Sequence, residues 1–332
     1  MKNKLQTKIM DQYFIGIDLG GTNIKGSIFN REMKLVEELR TPTEAVQGSE
    51  YVLERMYELV CSMLEHSKLS KTEVAGMGIG VPGLLNIEEG ISLFSPNFPD
   101  WEDVPIVQWF MDRLHFPVYI DNDVRMNLYG ERYLGAGIGY KNIVLITLGT
   151  GLGSGIMIDG HVLYGATASA GEIGHMNMYR EGRPCRCGSS GCLGRYVSAL
   201  GMLRTFREKI ESGQKSIICD WVDNDLSLVT AKMISKAYDL SDETAIDTLK
   251  ETGEILGFGL TNVINLYNPE VIIIGGGMAA AGERLFAGMK ETINSHALKI
   301  ANEKCIITTA LLGDSAGMAG AALCAKHKLS SI

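Results

Sequence analysis

The sequence predicts an α/β protein built as two related domains around a shared cleft, and three observations carry that expectation. The chain has 332 residues, long for a single hydrophobic core. Residues 17–29 can be laid over residues 146–158 at an offset of 129, with Ile17 on Ile146, Leu19 on Leu148, Gly20 on Gly149 and Gly26 on Gly155. Both copies read as strand, glycine-rich turn, strand, and an internal repeat of this kind points to a duplicated unit. Elsewhere, short apolar runs ending in glycine or carboxylate alternate with stretches of helical periodicity.

Composition narrows the class. Hydrophobic residues make up 45% and charged residues 21%, as in ordinary globular proteins. A net charge of −8 weighs against nucleic acid as a partner. No apolar run approaches the length of a membrane span. Met1–Gln12 carries Lys2, Lys4 and Lys8 with no apolar stretch behind them, so it reads as a frayed tail and not a signal peptide. The seven cysteines include Cys61, Cys219, Cys305 and Cys324 scattered in apolar contexts, which suits a reducing cytoplasm better than a disulfide framework.

In chain order, Tyr13–Asp18 is an apolar strand ending in a carboxylate, and LGGTNIKGSIF supplies a turn and a second strand. Such a turn is either an ordinary glycine turn or a nest of backbone N–H groups that binds phosphate oxygens; the second copy, ITLGTGLGSGIMI, favours the nest. Asp18 becomes Thr147 in that copy, so one carboxylate serves both, which suits a single Mg²⁺ held mostly by a nucleotide. Residues 49–66 form an amphipathic helix with Leu53, Met56, Tyr57, Val60 and Leu64 on one face. Val74–Val81 is a buried strand ended by Pro82-Gly83. Residues 94–105 read as a loop, because Pro96, Pro99 and Pro105 break both ladders; Trp101 anchors it. A short helix over 105–115 precedes a strand at 117–120, which leads into Asp121-Asn122-Asp123. That triplet is either a helix cap or a strand-end catalytic cluster, and both readings fit together if Asp121 or Asn122 caps while Asp123 faces the cleft. Helices are expected over 124–133, 196–211, 228–240, 244–267 and 313–326. Strands are expected at 269–274, opening into Gly275-Gly276-Gly277, and at 306–310.

Beyond the second glycine-rich turn lies AGEIGHMNMYREGRPCRCGSSGC, residues 170–192. Its His175, Cys185, Cys187 and Cys192 offer the four thiolate and imidazole ligands of a closed, structural Zn²⁺ site; buried thiols beside a hydrogen-bonded histidine are the alternative. Glu172 lies three residues before His175, so fixing the histidine also fixes the carboxylate, which then grips a polar substrate.

Assembled, these pieces resemble the ROK family of sugar kinases (repressor, open reading frame, kinase), within the two-domain actin-like, hexokinase-like ATPase (ribonuclease H-like) fold with its active site in the interdomain cleft. The resemblance runs from Tyr13 to about Ala325. It rests on DLGGTNIKG at Asp18, GVPG at Gly80, the Pro96-Asn97 pair, DND at Asp121, LGTGLGSG at Leu148, GEIGH at Gly171, CRCGSSGCL at Cys185 and IIIGGG at Ile272. It implies ATP-dependent phosphorylation of a hexose hydroxyl, O6 in a glucokinase or allose kinase, with N-acetylmannosamine or fructose kinase as the alternative. It implies Asp123 as the catalytic aspartate and Gly83, Asn97, Asn122, Glu172 and His175 as sugar contacts. Asp18, Gly20, Gly21, Thr22, Asn23 and Lys25 in one turn, and Gly149, Thr150 and Gly151 in the other, would hold the ATP phosphates, with Gly276 and Gly277 on the adenosine side. The implied domains are 13–121 plus 313–332 and 122–312, in a homodimer or higher homo-oligomer. One departure stands out: the family's glutamate after Gly-Cys-Leu is replaced by Gly194, followed by Arg195. ROK repressors carry a helix-turn-helix ahead of the first hairpin; with the first strand at Tyr13 there is no room for one, so a sugar-binding regulator would here lack a DNA-binding domain.

Overall fold

A computed structural model describes residues 12–95 and 98–330. Residues 1–11 of the expected tail and Asn97 lie outside the described residues. In chain order the elements begin with β1 (Tyr13–Leu19), β2 (Asn23–Phe29), β3 (Leu35–Pro42), α1 (Ser49–Ser67), β4 (Val74–Val81), β5 (Leu84–Asn86), β6 (Ile91–Phe94) and β7 (Glu102–Val104). Next come α2 (Ile106–Leu114), β8 (Val118–Asn122), α3 (Asp123–Leu134), β9 (Ile143–Leu148), β10 (Leu152–Ile158) and β11 (His161–Val162). Then follow α4 (Gly194–Val197), α5 (Ala199–Glu211), α6 (Ile217–Trp221), α7 (Ala231–Asp239), α8 (Glu243–Tyr267) and β12 (Val271–Gly275). The series ends with α9 (Glu283–His296), α10 (Lys299–Asn302), β13 (Ile306–Thr309) and α11 (Ala316–Ser330).

The chain divides into two compact units. Among the described residues, the first takes the chain up to residue 138, residues 164–169 and the chain from 314 onward. Its five-stranded sheet runs β3-β2-β1-β4-β8, with the β1–β2 and β2–β3 pairs antiparallel and β1, β4 and β8 parallel. The apolar runs of β1 and β4 are nearly continuous because both are interior strands. Edge strand β3 alternates charged and half-buried positions. One apolar stripe of α1 (Val52, Leu53, Met56, Leu59, Val60, Met63, Leu64) is buried in this unit's core. The small-residue helix α11 packs so closely that a Cβ at Gly16 would lie 1.8 Å from the Met318 carbonyl oxygen, and one at Gly320 would lie 1.7 Å from that of Met126.

That packing moves the expected boundary. Residues 122–138 belong to the first unit and not the second, because α3 presses on α11 through Gly130 and Gly320. The 94–105 segment is also not wholly loop. β7 pairs with β6 (Ser92 with Val104, Phe94 with Glu102) in a small three-stranded sheet, and the prolines flank this strand without occupying it. Trp101 is the anchor expected: it is buried, and its Nε1 donates to Ser92 Oγ at 2.8 Å.

The second unit takes residues 139–163 and 170–313. Its sheet, β11-β10-β9-β12-β13, repeats the first sheet's order and strand directions. The repeat read from the sequence is therefore a repeat of topology. Leu19 pairs with Ile24 across the first turn and Leu148 with Leu152 across the second, so the second turn is one residue shorter. The glycines of α8 serve helix packing: a Cβ at Gly253 would lie 2.3 Å from the Leu285 carbonyl oxygen of α9. The expected 196–211 helix is split at Ser198, whose side chain caps α5 by accepting from Gly201 N. Among the described residues no helix is long and apolar enough to cross a membrane, and all seven cysteines are free.

Candidate active site

In the first unit, Asp18 stands near the end of β1, opposite Lys25 of β2. A Cβ at Gly317 would lie 2.9 Å from the Asp18 Cγ, so glycine lets the carboxylate approach the N-terminal turn of α11, where the helix dipole favours an anion. Lys25 is drawn to Asp314, with Nζ to Oδ2 at 3.2 Å. Burial pushes the Asp18 carboxyl above its ordinary value; Lys25 opposes this and Asp314 adds to it. The turn itself exposes Gly21, Thr22 and Asn23. It is held by Thr43, fully buried, whose Oγ1 donates to the Gly20 carbonyl at 2.7 Å while its N–H donates to that of Thr22 at 2.9 Å. No local sequence signal marks Thr43, since its partners lie more than twenty positions away.

At the end of β8, the Asp121-Asn122-Asp123 triplet divides its labour. Asn122 is the cap: its Oδ1 accepts from Val124 N at 3.0 Å and Arg125 N at 3.3 Å. Asp123 opens the first turn of α3, half-buried. Asp121 is buried and structural. It accepts from Arg125 Nε at 2.6 Å, Tyr164 OH at 2.7 Å and Asn122 N at 2.7 Å. Arg125 also donates to the Ala168 carbonyl at 2.9 Å, so segment 164–168 is strapped to α3. Burial, then the Asp121 charge, pushes the Tyr164 phenol well above its ordinary range. Gly83 follows β4 with φ 102°, where a Cβ would lie 2.1 Å from the Phe94 carbonyl oxygen; only glycine fits that turn.

In the second unit, Gly149, Thr150 and Gly151 form the turn between β9 and β10, closed by Gly149 N donating to Gly151 O at 2.9 Å. Gly276, at φ 84°, backs onto the end of β9, where a Cβ would lie 2.4 Å from the Leu148 carbonyl oxygen. The turn after β12 is thereby brought beside the β9–β10 turn. Open space adjoins Gly149, Gly151 and Gly277, leaving their backbones accessible to a ligand.

The ligand atoms of His175, Cys185, Cys187 and Cys192 all lie within 4.8 Å of one another. Cys187 Sγ and Cys192 Sγ are 3.7 Å apart, as are Cys185 Sγ and His175 Nδ1. Bonds of about 2.3 Å to a tetrahedral Zn²⁺ imply a sulfur–sulfur edge of about 3.8 Å, so the donor set and its size fit that ion. The Ser189 backbone holds the Cys187 thiol low, while burial and the neighbouring thiols push Cys192 up. Arg183 anchors the loop to α5: it reaches the Arg195 and Gly201 carbonyls, Thr205 Oγ1 at 2.9 Å and Glu208 at 2.5 Å. Glu172, exposed, sits before the short 3₁₀ turn Ile173–His175. At Gly194 a Cβ would meet the Gly174 carbonyl oxygen at 3.3 Å and Leu152 Cβ at 3.5 Å.

Two sheets of one repeated order, each opening in a hairpin whose turn bears glycine, define the hexokinase-like ATPase fold. A family profile described as "ROK family" matches residues 14–328, and the chain belongs to that family. It is 33% identical over 323 residues to a glucokinase of Halalkalibacterium halodurans, covering 97% of each chain. It is 29% identical to a xylose repressor of Caldicellulosiruptor bescii, covering 84% of this chain and 69% of that one. Among solved structures, a ROK family glucokinase from Streptomyces griseus in complex with glucose and AMPPNP superposes with a TM-score of 0.79 at 28% identity, covering 95% of this chain and 99% of that chain.

Proposed function

We propose that the chain is an ATP-dependent sugar kinase that phosphorylates a hexose, with glucose the first candidate and O6 the acceptor. The observation that carries the reading is Asp123, half-buried at the start of α3 beside an Asn122 that has taken the capping duty. In this reading Asp123 orients the attacking hydroxyl and accepts its proton as the new bond forms, which is the positioning chemistry phosphoryl transfer requires. Backbone N–H groups at Gly20–Asn23 and Gly149–Gly151 cradle the phosphates, Lys25 adds positive charge, and Gly276 and Gly277 lie against the adenosine. Gly83, Asn97, the Asn122 amide N–H₂, Glu172 and His175 bind the sugar. Mg²⁺ arriving with ATP supplies charge neutralisation at the γ-phosphate, and Asp18 is the group that would place it. Zn²⁺, held by His175, Cys185, Cys187 and Cys192, supplies rigidity to the loop.

The test is a coupled ADP-release assay over glucose, allose, mannose, fructose and N-acetylmannosamine. Asp123→Asn is expected to lower kcat by at least about 10²-fold on the best sugar, in line with loss of a positioned general base. Turnover like the wild type would remove Asp123 from the mechanism. The xylose repressor relative supports a second reading, a sugar-responsive regulator; hexose-dependent ADP release at enzyme-like rates would dismiss it.

A further inference from the structure

Glu172 has an unusual backbone. Its φ of −71° and ψ of 60° are those of an inverse γ-turn, and the turn is closed by Ile173 N donating to the Gly171 carbonyl at 2.7 Å. The carboxylate therefore leaves the chain at the apex of a three-residue turn. Such a turn is held by one bent hydrogen bond, and on its own it is a weak mount for a side chain that must point one way.

The same two backbone groups have a second partner. Ser154, half-buried on β10, donates through Oγ to the Gly171 carbonyl and accepts at Oγ from Ile173 N at 3.0 Å. One hydroxyl thus spans Glu172, with one bond to the residue before it and one to the residue after. Gly171 sits at φ 88°, a conformation that glycine adopts without cost and that completes the tight approach to the strand. Ser154 lies on the rigid β9–β10 hairpin, so the turn is referenced to the sheet and not only to the metal loop.

We propose that Ser154 is a positioning residue for sugar binding: its hydroxyl staples the γ-turn that aims the Glu172 carboxylate at the hexose. The proposal rests on the reading of Glu172 as a sugar contact. Ser154 touches no substrate, and its effect reaches the sugar through Glu172.

The experiment compares Ser154→Ala, Ser154→Thr and Glu172→Gln in steady-state kinetics on the best hexose, with the melting temperature of each variant. Losing bonds worth about 1 kcal/mol is expected to raise the hexose KM of Ser154→Ala about fivefold or more, with the ATP KM within about twofold of the wild type. Ser154→Thr keeps the hydroxyl and is expected to restore the hexose KM. If Glu172→Gln raises the hexose KM and Ser154→Ala does not, the staple is overturned while Glu172 keeps its role. If Glu172→Gln has no effect, the sugar-contact reading fails and the staple falls with it. A Ser154→Ala variant whose two KM values rise together with a lowered melting temperature marks a merely structural serine and also overturns the proposal.

Discussion

In the proposed kinase, Asp18 would trade stability for chemistry. Its carboxyl is raised above the ordinary 3.8, chiefly by burial. The folded chain therefore holds this proton to higher pH than the unfolded chain does. Below the unfolded value both states are protonated and the group costs nothing. As pH climbs through the unfolded and then the folded value, stability is lost, and the loss is complete above the folded value. Asp18→Asn is expected to melt higher than the wild type near pH 7 in metal-free, nucleotide-free buffer, with the gap narrowing as pH falls through the folded value and closed below the ordinary 3.8. The same variant is expected to lose at least about 10²-fold in kcat, because the group that would place the metal at the transferring phosphoryl is gone. A lower melting temperature at pH 7 would contradict the sign. At this scale the sequence disclosed the residues that motifs mark, Asp18, Asp123 and the Cys3His set among them. It was silent on Thr43, Arg125, Ser154 and Arg183, whose roles depend on partners up to 43 positions away. Nothing local in composition or spacing announces such a bond.

At the scale of elements, the first hairpin is only as firm as the buried hydroxyl behind it. Thr43→Val keeps the shape and removes the bond to the part-buried Gly20 carbonyl, leaving that acceptor without its side-chain partner. The expected outcome is an ATP KM raised about fivefold with the hexose KM unchanged, and recovery in Thr43→Ser. Equal effects on both substrates would show that Thr43 does not act through the β1–β2 turn proposed to hold the nucleotide. Elements with a strong period were legible: α1 and β4 fall where the pattern put them. Those without one were not. β3 reads LVEELRTP, and as an edge strand facing solvent its charges mask the alternation. β7 is three residues long between prolines, and its pairing with β6 supplies the order that its own sequence does not.

For the molecule as a whole, each unit has a hydrophobic core of its own, one around Ile17, Met56 and Phe110 and another around Leu148, Phe206 and Leu260. His175, Cys185, Cys187 and Cys192, the proposed zinc ligands, belong to the second unit alone. Calorimetry is expected to resolve more than one unfolding transition, and a strong chelator is expected to lower one of them by more than about 5 °C while leaving another in place. One zinc per chain by elemental analysis should accompany this, and its absence from protein purified without chelator would refute the structural zinc.

The first sheet is finished by residues far along the chain: Ser27 Oγ donates to Met318 Sδ across 291 positions, and α11 fills the groove over Gly16. During translation β1 and β2 emerge early, yet the slot between them and α3 stays open until α11 clears the ribosome. The nascent first unit must wait with an apolar trench uncovered, whereas the second can close as soon as β13 is made. A message cut short before residue 316 would therefore yield a half-built protein that chaperones hold and proteases clear.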